Sequence, residues 1–172
     1  MEVVYLGYTK ICHMSTGLLH LHSLLRWVIL ILMLVSLYQT FVKSDKIKSS
    51  SLWLMIASHV MLLIGLYQTI LGRYGWTNVP EGTSVMKDGF FRFYLVEHPT
   101  LMITSVVLIT LARRKSKDLN YRSVKTLLLI SLVLILAAVP WPFRDAAIAR
   151  HGFQACKNWI RVECLGFSNT QP

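Results

Sequence analysis

The sequence predicts an all-α protein, an integral membrane four-helix bundle with up-down-up-down topology. Three observations lead there. The 172 residues contain four apolar runs of about 18–23 residues each, close to the roughly 20 that cross about 30 Å of hydrocarbon as a helix. Apolar residues make up 54% of the chain at a mean hydropathy of +0.51, against 15% charged residues, a balance beyond that of ordinary soluble domains. The links between runs are short and polar, which forces neighbouring helices to be antiparallel.

Residues 1–16 read as an N-terminal extension. "MEVVYLGYTKICH" has no basic start, long apolar stretch or small-residue cleavage site, and so does not resemble a cleavable signal peptide. Met14, directly before the first run, is a second candidate start. The four-helix domain spans residues 17–143. Its first run is Leu18 to Tyr38 and its second is Leu52 to Leu71. The third extends from about Phe90 to Ala112, and the fourth from Val124 to Trp141. All four are apolar all round rather than amphipathic, as helices surrounded by lipid are. "VKSDKIKSSS" and "RRKSKDLNYRSVK" are short basic turns, while "GRYGWTNVPEGTSVMKDG" is longer and carries Gly and Pro turn signals. Pro99 predicts a kink or a helix start at His98. Residues 144–172 mix polar and scattered apolar residues without a period and read as a tail of low order.

The net charge of +10 is a topology signal. Nine cations (Lys43, Lys46, Lys48, Arg113, Arg114, Lys115, Lys117, Arg122 and Lys125) flank the first and third links, on one side of the membrane. The other side holds nine as well, but three of them (Arg150, Lys157 and Arg161) are in the tail; counted near the membrane ends the linker side dominates, and by the positive-inside rule it is cytoplasmic. A multi-pass protein of the cell inner membrane is expected, with both termini outside the cytoplasm. No basic helix with interleaved aromatics is present, so nucleic acid is not an expected partner.

The chemistry-bearing signal is histidine. His20 and His22 fall in the first run, His59 in the second and His98 in the third; His13 and His151 lie outside the runs. Ionisable residues within spans are expensive, and three helices each supplying an imidazole is the donor pattern by which a helical bundle holds a haem. Hydrogen bonding between helices is the competing use of the same residues. Arg26 follows His22 by four residues on one face, where a guanidinium can pair with a haem propionate or reach the headgroups. Ser105 shares a face with His98 and is small enough to leave room for a macrocycle. Glu97 is the one acid well inside a run, with Arg92 or Arg26 as its expected partner. Helix rise places His22 about 6 Å inside one edge, His98 about 12 Å and His59 about 18–20 Å from that edge. His98 is therefore the common member of either pairing, with His22 or with His59. His20 stands about 200° around the helix from His22 and is expected to matter less.

Other chemistries find no foothold. There is no GxSxG, HExxH, phosphate-cradling glycine loop or paired carboxylate, and a di-iron site would need several intramembrane Glu residues. Cys12, Cys156 and Cys164 show neither CxxC nor zinc spacing.

"LHLHSLLRW", "FFRFYLVEHPTLM" and the closing "PWPFR" resemble, over roughly Met14 to Arg144, small four-helix membrane proteins of Bacteroidota usually labelled cytochrome B. The resemblance implies a membrane b-type cytochrome with His22, His59 and His98 as the matching histidines. Family members end near "PWPFR", so the tail from Asp145 departs from the pattern. The expectation is a haem b protein that transfers electrons, with the bilayer as its environment and a quinone or another membrane component as redox partner. It reads as an electron carrier rather than a complete enzyme. The alternative is a cofactor-free structural or accessory membrane protein whose histidines join helices.

Overall fold

The computed structural model describes residues 2–72, 75–79 and 84–139, with side chains from Gly17 onward. Four helices form it: α1 (Glu2–Phe41), α2 (Ile47–Leu71), α3 (Gly89–Lys117) and α4 (Tyr121–Ala138). Each contains a stretch long and apolar enough to cross a membrane, and the all-α four-helix bundle is the observed fold. In α1 that stretch begins at Gly17, and residues 2–16 continue the same helix backbone rather than forming a separate element. The tail from 144 onward, with Cys156 and Cys164, lies outside the described residues.

The helix contacts follow a seam with alternating spacings of three and four. Ile29, Met33, Ser36 and Thr40 are buried on α1, and Ile47, Ser51, Leu54 and Ser58 on α2. Ser105, Ile109, Ala112 and Ser116 do the same on α3, and Val124, Leu128, Ser131, Ile135 and Ala138 on α4. A 3.5-residue repeat keeps one stripe facing its neighbours over many turns, as in left-handed bundles. The outer faces carry Leu24, Trp27, Ile31, Leu63 and Val133 exposed. Apolar residues thus cover both faces, and the small polar ones lie inside. That inversion suits lipid, where close approach and hydrogen bonds between helices, not hydrophobicity, drive packing.

Two of these contacts are hydrogen bonds between helices. Ser51 Oγ and Ser116 Oγ meet at 2.8 Å between α2 and α3, and Ser131 Oγ donates to the Ser105 carbonyl at 2.9 Å between α4 and α3. Such bonds average about 0.6 kcal/mol in membrane bundles. A double-mutant cycle of Ser51→Ala and Ser116→Ala, read by reversible unfolding in mixed micelles, is expected to return a coupling of about that size. A coupling of zero would contradict the contact.

Both basic turns are closed the same way. Lys43 and Leu119 take φ of 53°, and the next amides reach back, Ser44 N to Gln39 O at 3.0 Å and Asn120 N to Lys115 O at 3.2 Å. This is the Schellman ending, in which a left-handed residue after the helix lets the chain satisfy orphan carbonyls and reverse. The Tyr121 hydroxyl then donates to Asp45 Oδ1 at 3.1 Å, tying one basic turn to the other. At the opposite end Asp88 caps α3, its Oδ1 accepting from Phe90 N at 2.8 Å and Phe91 N at 3.2 Å.

The long run of regular α-helical turns in α3 begins at His98, as Pro99 led one to expect, with the proline in the first turn. The chain before it runs on without a break as a π turn over Phe93–Glu97, with the His98 amide donating to Phe93 O, five residues back. Proline supplies no amide and crowds the carbonyl four residues before it, here that of Leu95. One wide turn accommodates that ring without breaking the helix. Glu97 pairs with Arg92, not Arg26, at 3.0 Å on the exposed surface.

Candidate functional site

α1 packs against α2 and α4, and α3 packs against the same two. α1 and α3 therefore occupy diagonal corners of the bundle. Continuing each seam toward the end opposite the basic turns places particular residues inside. On α1 the alternating spacing runs back from Ile29 through Arg26 to His22; on α3 it runs back from Ser105 through Met102 to His98. On α2 it runs forward from Ser58 through Met61 and Gly65 to Gln68.

The two seam histidines meet. The ring centroids of His22 and His98 are 6.4 Å apart, with planes inclined by 54°. His98 is oriented from two sides. Its Nδ1–H donates to the Ala138 carbonyl at 2.9 Å, and the Phe93 ring stands 6.1 Å away. With the proton held on Nδ1, Nε2 is left with its lone pair. Histidines that ligate metals are fixed by this kind of bond to the far ring nitrogen. His22 has no such anchor, for its Nδ1 is buried and has no hydrogen-bond partner among the described residues. Gly65 of α2 faces it, and a Cβ built there would lie 3.5 Å from His22 Cε1.

The other candidates fall elsewhere. His59 follows Ser58 and so leaves the seam; it is exposed on the outer face of α2, with Nδ1–H donating to Met55 O at 2.8 Å. His20 is likewise exposed. Of the two pairings open at the level of depth, the structure brings together His98 and His22. Arg26 is half-buried one turn below His22, its guanidinium 5.5 Å from the Trp27 ring centroid. Ser105 is buried where α3 meets α4, its carbonyl engaged by Ser131, so it serves a helix contact. Sequence reasoning missed Gln68, whose Nε2 is buried without a partner among the described residues. The 3.5-residue seam was the signal that finds it, since Gln68 lies ten residues beyond Ser58 on that repeat.

The fold and this constellation define a class, a multi-pass four-helix membrane protein with paired histidines in its interior. Comparison with models of protein families, with curated proteins and with solved structures finds no match.

Donor count limits what the pair can hold. Among the described residues no three His, Cys, Asp or Glu side chains stand close enough to hold a metal ion together. A bare ion would find two imidazoles here and little else. A haem brings four nitrogens of its own and needs one or two axial ligands. Imidazoles on opposite sides of one metal, bonded at about 2.0–2.1 Å, hold their centroids roughly 6 Å apart. The centroid spacing of the pair is of that size.

Proposed function

We propose that the protein is a haem b-binding membrane electron carrier in which His22 and His98 would hold the iron. The 6.4 Å approach of two imidazoles across the diagonal of a membrane bundle carries this reading. Bound haem supplies a reversible one-electron change at iron. The chain's part is to present two imidazoles from opposite corners, exclude water, and set the ring orientation of His98 through the Ala138 carbonyl. Arg26, one turn from His22, is the cation available to a propionate. His59 has no part in this reading. The alternative use of the histidines, joining helices, describes the His98–Ala138 bond but not His22 Nδ1, which has no hydrogen-bond partner among the described residues.

The test is a reduced-minus-oxidised spectrum of protein purified after haem-replete expression. A b-type difference band at about one haem per chain is expected. Its absence would return the protein to the cofactor-free alternative.

The same reading places the histidine pair near the membrane face away from the basic turns. With those turns in the cytoplasm, a periplasm-active reporter fused after Arg144 is expected to be active and one inserted near Lys117 inactive. The reverse pattern would put the basic turns outside.

A further inference from the structure

We propose that the outer face where α1 meets α4, at the end of the bundle that carries the basic turns, binds an anionic phospholipid, with Arg122 and Lys125 holding its phosphate. His22 and His98 lie toward the opposite end, so the inference is independent of the haem reading.

Helix spacing builds the site. Arg122, Lys125, Leu129 and Val133 follow one another at intervals of three and four, and so share one face of α4. Arg122 is exposed and Lys125 half-buried, while Leu129 and Val133 are exposed apolar residues further along the span. On α1, Leu34, Tyr38 and Phe41 form a second exposed stripe with the same spacing. The two stripes meet at the basic end, where Lys125 Nζ stands 5.0 Å from the Phe41 ring centroid. That is within the range of a cation–π contact, which seats the ammonium on the apolar face between two helices. Residues three apart on a helix have Cβ atoms about 5–6 Å from each other, so the long side chains of Arg122 and Lys125 can close on one phosphate.

Neither cation is neutralised by an acid of the bundle. The two basic turns contain Asp45 and Asp118, yet among the described residues the one ion pair is Arg92–Glu97, at the other end. Asp45 instead accepts from the Tyr121 hydroxyl. Orienting the chain in the membrane requires positive charge near these turns, but it does not require a lysine seated on an aromatic ring. The order of polarity along the face selects the occupant. Two cations stand at the end, and exposed apolar surface follows along the span. An anionic phospholipid presents its phosphate and then its acyl chains in that same order. A zwitterionic phospholipid brings a cation of its own, which both side chains repel, and a free phosphate uses only the polar end.

The test is native mass spectrometry of the delipidated full chain in micelles, titrated with phosphatidylglycerol and, separately, with phosphatidylcholine of the same acyl chains. One phosphatidylglycerol per chain is expected to bind in preference to phosphatidylcholine. The double variant Arg122→Gln/Lys125→Gln is expected to weaken that binding about thirtyfold, the share of two cations beside an anionic headgroup. Arg122→Gln alone, at an exposed position, is expected to weaken it about fivefold. Lys48→Gln/Lys115→Gln removes the same charge from the same end of the bundle, but on α2 and α3, and is expected to bind like wild type. Inorganic phosphate added in excess is expected to leave the lipid bound. Equal binding of the two lipids, equal effects of the two double variants, or displacement by inorganic phosphate would each overturn the inference.

Discussion

Replacing His98 by Ala is expected to leave the protein folded and without haem. Nothing in the described part of the bundle can substitute for it. His59 and His20 are exposed on outer faces, and among the described residues no further imidazole lies on the seam. Loss of an outer-shell partner costs roughly 10–100-fold in metal affinity, and loss of an axial ligand is expected to exceed that. Structural damage comprises the bond with Ala138, worth about 0.6–2 kcal/mol between membrane helices, and the ring's contacts with Phe93 and His22. Imidazole added to the buffer is therefore expected to restore a six-coordinate spectrum to the variant, which a protein that had simply unfolded would not show. Full haem retention in His98→Ala would defeat the assignment.

His22→Leu is expected to separate the two uses of histidine in the opposite way. His22 buries Nδ1 with no hydrogen-bond partner among the described residues. A buried polar group left unpaired costs about 1–3 kcal/mol. A leucine of similar size removes that cost, so the apo variant is expected to unfold later than apo wild type, by on the order of 1 kcal/mol. The same variant is expected to take up no haem. His59→Ala, measured beside it, is expected to retain haem at the wild-type level because its ring points away from the pair. A helix-joining histidine would give the reverse result, with His22→Leu less stable. A stability gain coupled to lost binding is the mark of a residue kept for its ligand.

The architecture was legible because its signal is gross. Four runs of membrane length with short polar links leave few folds to choose from, and Asp88 and the two Schellman turns refine only where helices begin and end. The inward faces were less visible. Periodicity is read as apolar against polar, and here lipid makes the outside apolar too. The repeat emerges only once Ser36, Ser51, Ser58, Ser105, Ser116 and Ser131 are recognised as interior residues. That is also why the choice between His22 and His59 stayed open at the level of depth along the membrane. Both sit in apolar runs, but the register of Ser58 turns His59 outward, while Ile29 and Met33 set His22 inward. The helix start at His98 was legible from Pro99, but the π turn over Phe93–Glu97 before it was not, because no residue pattern marks a lost amide that is absorbed by widening one turn.

The most direct test of the central claim is a hemin titration of apo-protein, comparing wild type with the His22→Leu/His98→Ala double variant. Absorption and electron paramagnetic resonance spectra are recorded at each step. Saturation at one haem per chain, with a low-spin ferric signal of bis-imidazole ligation in wild type and no uptake by the double variant, is the predicted result. Equal uptake by both proteins, or a wild-type signal from any other ligand pair, would contradict it.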